Sequence, residues 1–224
     1  MKLKDSTIQL IVAASNTIIL TVLALSGISI SAVLLIIFII ILPIDFLTFS
    51  LFEFKKAKYF KSIIENEGYS AHYFYERNRI ISYIKNPILH TIYLVMLSSD
   101  YSKSGNLQMA FSTIMHVDPR KLSGASLCFY YNNFLYYYLQ AGDMVNAERV
   151  YPIAKPLIEK YIKEPKRAGM LHTLALREYM IGNYNESLAM LKNTINVITK
   201  SNNMYVETIL DMGKVYIKLG DLEK

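Results

Sequence analysis

Residues 6–44 contain no Asp, Glu, Lys, Arg or His, although Asp5 and Asp45 bracket them. No other feature limits the possible folds so strongly. A bilayer core of about 30 Å needs roughly 20 helical residues at about 1.5 Å each, so the run is about twice what one pass requires. Its middle, Ser26-Gly27-Ile28-Ser29, holds the cluster best able to turn the chain without a bulky or charged side chain. The run therefore predicts two transmembrane helices, about 7–25 and 29–49, joined as a hairpin. A cleaved signal peptide is the alternative, but its apolar core is shorter, about 7–15 residues, and it needs a small-residue cleavage site.

Positive charge collects on the cytoplasmic side of a membrane segment. Lys2 and Lys4 precede the run, Lys55, Lys56, Lys58 and Lys61 follow it, and the turn is uncharged. Both termini are thus expected in the cytoplasm of an integral membrane protein, in the plasma membrane, with the four lysines also able to hold anionic lipid. Within the first helix Gln9, Ser15, Asn16, Thr17 and Thr21 are polar and Ala13, Ala14 and Ser15 small, the composition of a helix–helix contact face. Asp45, beside Pro43 and among Phe46, Phe49 and Phe52, reads as an interfacial residue at the membrane boundary.

The remainder of the chain carries no chemistry at recognisable spacing. His72, His90, His116 and His172 have no His or Cys partner at metal-ligand spacing, and HExxH, GxSxG and phosphate-cradling glycine loops are absent from the sequence. No catalysis, cofactor or metal is expected. Asp100 and Asp118 near His116 read as caps. Residues 55–224 hold 22 Lys and Arg against 15 Asp and Glu, a net +7, but the basic residues are dispersed, which argues against nucleic acid. Cys128 is the single cysteine, in an apolar segment, and is expected to be a buried small hydrophobe.

Helical periodicity predicts an amphipathic helix over 52–65 and a second over 71–85, stopped by Asn86-Pro87. Beyond them a Gly followed by Asn or Asp recurs as Gly105-Asn106, Gly142-Asp143, Gly182-Asn183 and Gly220-Asp221, at intervals of 37, 40 and 38 residues. Each Gly can end one helix and each Asn or Asp can cap the next. Aligning these bends brings Tyr101, Tyr138 and Tyr216 to the position four before the Gly, and Ala110, Ala147 and Ser187 to the position five after it. A small residue there lets two helices approach closely.

Phe134-Leu135, Tyr138, Gly142-Asp143, Ala147, Tyr151 and Ala154, and again Met212-Gly213, Tyr216 and Gly220-Asp221, resemble the tetratricopeptide repeat family. The pattern departs from the family in lacking Trp, in placing Glu178 where the tyrosine belongs, and in spacings longer than about 34 residues. The expected fold is all-α: a membrane anchor over 1–53, a linking helical pair over 54–87, and an α-solenoid of tetratricopeptide-like hairpins over 88–224. The resemblance implies a concave groove for a protein or peptide partner, lined by Asn132, Tyr136, Gln140, His172, Tyr179 and Lys214. The last helix, 203–219, is expected to turn Glu207, Asp211, Lys214 and Lys218 outward as the polar face of a terminal repeat. Two functions follow as expectations: a membrane-held scaffold that recruits a cytoplasmic partner, or an accessory subunit of a transport, secretion or envelope complex whose hairpin makes the working contacts.

Overall fold

The structure is a computed structural model; it describes residues 17, 18, 21, 42–161, 167–198 and 203–221. Among the described residues the protein is all-α, with nine helices, one 3-10 turn and no strand. The helices are α1 (Leu42–Glu67), α2 (Ala71–Ser82), α3 (Pro87–Lys103), α4 (Leu107–Met115), α5 (Gly124–Gln140), α6 (Met144–Tyr161), α7 (Arg167–Met180), α8 (Tyr184–Val197) and α9 (Asn203–Leu219), with the 3-10 turn at Pro119–Lys121. The chain divides at Gly68 into two compact units.

In the first unit, Thr17, Ile18 and Thr21 are helical, and the Thr21 hydroxyl donates to the Thr17 carbonyl at 2.8 Å. The expected hairpin otherwise falls outside the described residues up to the start of α1. No helix among the described residues is long and apolar enough to cross a membrane. The boundary expected between 53 and 54 falls inside α1, which runs unbroken because residues 45–67 contain neither Gly nor Pro. Gly68 then ends it with a positive φ of 67°.

The second unit is built by a repeated turn. The amide of Asn106 donates to the carbonyl of Tyr101 at 2.9 Å, that of Asp143 to Tyr138 at 2.9 Å, that of Asn183 to Glu178 at 2.8 Å, and that of Asp221 to Tyr216 at 3.0 Å. The glycine inside each loop takes a φ between 71° and 86°, which costs any side chain with a Cβ. The first three turns fold α3 on α4, α5 on α6 and α7 on α8. Ala110, Ala147 and Ser187, each five residues past its glycine, are completely buried, and the Ser187 hydroxyl donates to the Ala175 carbonyl at 2.8 Å. One core gathers Cys128, Leu135 and Leu139 of α5, Ala147, Ala154 and Ile158 of α6, and Met170 and Leu174 of α7.

Glu178 is buried at the position where Tyr138 and Tyr216 stand in their turns. It does different work there: one carboxylate oxygen accepts from Asn183 Nδ2 at 2.8 Å, closing its own turn, and the other from Arg177 at 2.6 Å. Arg177 reaches on to Glu148 of α6, with bonds of 2.7 Å, and its guanidinium lies 3.9 Å from the Tyr151 ring centroid. The carboxylate thus replaces aromatic packing with a hydrogen-bonded tie between successive pairs.

Two expectations are corrected. Asp100 is no cap: it sits within α3, buried, where Oδ2 accepts from the Tyr73 hydroxyl at 2.7 Å and from Arg77 Nε and Nη2 at 3.0 and 2.7 Å. Asp118 does cap, accepting from the Arg120 amide at 3.1 Å. In α9 Glu207, Lys214 and Lys218 are exposed as expected, and Asp211 is the exception. Asp211 turns inward to a partner on α7, and the apolar Val206, Leu210 and Ile217 are exposed beside the stripe.

Candidate partner-binding face

Counting back from each turn glycine, Asn132 and His172 stand ten residues before it, Tyr136 and Lys214 six before, Tyr179 three before and Gln140 two before. They lie on α5, α7 and α9, the first helices of successive pairs, and α5 and α9 both pack against α7. Equal register on stacked helices puts equivalent side chains side by side.

The centre of the face is the Asp211 carboxylate. Its Oδ2 lies 2.9 Å from His172 Nε2, and its Oδ1 accepts from Lys214 Nζ at 2.7 Å. A carboxylate only accepts, so Nε2 of His172 carries the proton. Burial alone would raise the pKa of Asp211, but the hydrogen bonds and charges of His172 and Lys214 hold it below the ordinary value of 3.8. The Lys214 ammonium is pushed up by its bond to Asp211. Tyr136 of α5 feels the same charge: burial first, then the negative charges of Glu207 and Asp211, raise the pKa of its hydroxyl. Two helices therefore meet at one carboxylate, and the Tyr136 hydroxyl of a third feels its charge.

Tyr179 is half-buried beside this group, its ring 5.6 Å from that of Tyr184. Tyr179, Asp211 and Lys214 line a partly open cavity of about 40 Å³ together with Leu176, Ser187, Leu191 and Val215. That is room for water and too little for a cofactor.

The arrangement collects Tyr136, His172, Tyr179 and Lys214 and adds Glu207 and Asp211. Asn132 is 8% exposed, and its Oδ1 has no hydrogen-bond partner among the described residues. Gln140 is exposed at the end of α5. Glu207 and Asp211 were visible as charged residues of the last helix, but their role needs His172 and Tyr136, which are distant in sequence. His172 is itself mostly buried, so it positions Asp211 and does not present its ring to a partner.

The other reactive groups have local explanations. Burial pushes the Cys128 thiol up to about 11, and its Sγ lies 3.6 Å from Met170 Sδ, the packing of a buried small hydrophobe. His116 Nδ1 donates to the Ser112 carbonyl at 2.7 Å. Among the described residues no group of His, Cys, Asp and Glu could hold a metal ion. On α1, Lys55, Lys58 and Lys61 are exposed and Lys56 is half-buried, with Lys61 lying 3.5 Å from Glu65.

The chain matches no protein-family model, no curated protein and no solved structure.

Proposed function

We propose that the protein is a membrane-anchored scaffold without catalytic activity, whose helical pairs form a divergent tetratricopeptide-like α-solenoid and whose α5–α7–α9 face receives a cytoplasmic protein or peptide. One observation carries this reading: Tyr136, Tyr179, Asp211 and Lys214, with Glu207, come from three successive first helices to one face. Aromatic rings beside fixed charges are the groups that dominate interface energies. The His172–Asp211–Lys214 chain orders two of these helices in advance, so less freedom is lost on binding. The charge-free run at 6–44 supports a two-pass anchor, and the lysines that follow it support a cytoplasmic domain resting near anionic lipid.

The test is crosslinking and affinity capture from native membranes with the full-length chain, beside a Tyr136→Ala/Tyr179→Ala double variant. The expected result is loss of the captured partner by about tenfold or more, with little change in melting midpoint. Capture that survives the double substitution per folded molecule would move the contact away from this face.

A further inference from the structure

The basic residues of the second unit are scattered along the sequence, yet the fold gathers several of them. Each first helix runs from a connection to a glycine turn, and neighbouring first helices lie parallel. Cys128, four residues past the start of α5, meets Met170, three past the start of α7, at 3.6 Å. His172, five past that start, meets Asp211, eight past the start of α9, at 2.9 Å. Asn133 Nδ2 of α5 reaches the Val95 carbonyl of α3 in the same manner, at 3.5 Å. The connections α2–α3, α4–α5, α6–α7 and α8–α9 therefore share one edge of the unit, and the glycine turns form the opposite edge.

Residues 83–86 contain Lys85, residues 116–123 Asp118, Arg120 and Lys121, residues 162–166 Lys163, Glu164 and Lys166, and residues 198–202 Lys200, so every connection carries a net +1. The three turns that close the pairs, 104–106, 141–143 and 181–183, hold Asp143 and no cation. Charge alone suits any polyanion. The apolar neighbours narrow the choice. Tyr83 is 73% exposed and Ile88 53%, on either side of Lys85, and Met115, which opens the second connection, is 68% exposed. Arg120 is held by Asp118 at 2.9 Å, but Lys85 and Lys121 are exposed and make no ion pair among the described residues.

We propose that this edge is a lipid-contacting surface, which rests on the anionic headgroups of a bilayer. Cations there meet lipid phosphates, while the Tyr83 ring and the Ile88 and Met115 side chains enter the interfacial layer beneath. A nucleic acid would use the cations and leave these apolar groups in water. The charge-free run at 6–44 supplies the bilayer. The proposal rests on the anchored reading given above and deepens it, since it names the part of the helical unit that touches lipid. It leaves the α5–α7–α9 face open to a partner.

The full-length chain in lipid nanodiscs tests this, with brominated phosphatidylcholine as quencher and phosphatidylglycerol present or absent. A Cys128→Ala chain carries a fluorophore either at Met115→Cys, on the edge of the connections, or at Ser104→Cys, on the edge of the turns. The probe at 115 is expected to be quenched several-fold more than the probe at 104, and to lose that difference without phosphatidylglycerol. Lys85→Glu combined with Lys121→Glu is expected to abolish the difference as well, with helical signal and melting midpoint unchanged. Elution of the chain with the discs reports separately on the anchor. A chain that enters the discs but is quenched equally at both positions overturns the inference and leaves the edge to a nucleic acid or an acidic protein. So does a difference that ignores phosphatidylglycerol or the charge reversal. A chain that enters no disc overturns the anchored reading and this inference with it.

Discussion

The Asp211 carboxylate of α9 accepts a hydrogen bond from His172 Nε2 at 2.9 Å, joining the first helices of two successive pairs through groups 39 residues apart in sequence. The bond has a defined pH dependence. Asp211 ionises below 3.8 in the fold, so its contribution is complete above the unfolded value and disappears as pH falls through the lower folded value. Asp211→Asn is therefore expected to lower stability near neutral pH by about 1–2 kcal/mol and to flatten the acid limb of the melting curve. Thermal melts of both proteins from neutral pH down to about pH 2.5 would check it, the window being set by the carboxylate range. Acid limbs of equal slope would contradict it.

Glu178 makes a second tie, to Asn183 at 2.8 Å and to Arg177 at 2.6 Å, from a buried position. Glu178→Ala should cost about 1–3 kcal/mol, because it leaves the Asn183 amide and part of the Arg177 guanidinium without their acceptor. Denaturant unfolding monitored by circular dichroism measures the loss. A variant as stable as the wild type would mean that water or Glu148 takes over.

The Arg77–Asp100 pair, with Tyr73, is buried between α2 and α3. Asp100→Ala is expected to destabilise by about 3–5 kcal/mol, since it strands a buried guanidinium. Replacing both partners, as Arg77→Met with Asp100→Leu, should recover most of that loss. Urea midpoints of the single and double variants make the comparison.

For the proposed topology, a Cys128→Ser chain carrying Asn66→Cys supplies an exposed thiol just beyond the lysines. In intact cells a membrane-impermeant maleimide is expected to leave it unlabelled, and to label it after lysis. Labelling before lysis would put the helical pairs outside.

The turns were legible because their chemistry is local. A glycine with positive φ followed by a capping Asn or Asp announces itself within five residues, and the buried Ala110, Ala147 and Ser187 follow from the closeness it imposes. Asp100 was not legible. Its short side chain near a helix end looks like a cap, and only Arg77, 23 residues away, makes it a buried partner. The same distance problem hid the inward turn of Asp211. The apolar Val206, Leu210 and Ile217, exposed beside the polar stripe of α9, were not anticipated either. Pro152 and Pro156 would by local rules end α6, yet it continues to Tyr161; the burial of Ala154 and Ile158 against α5 and α7 outweighs the lost backbone bonds.

The recurring turn also governs how the domain comes apart. Every pair is closed by a bond between an amide and a carbonyl five residues earlier, and each helix packs on neighbours one or two places along the chain. Contacts this local need little loop closure, so folding can start at any pair and spread, and unravelling from one end need not reach the other. An occupant of the α5–α7–α9 face changes that behaviour. By touching three first helices at once, it fuses independently closing units into a single cooperative block, so binding would be read as a sharpening of the unfolding transition as much as a rise in its midpoint.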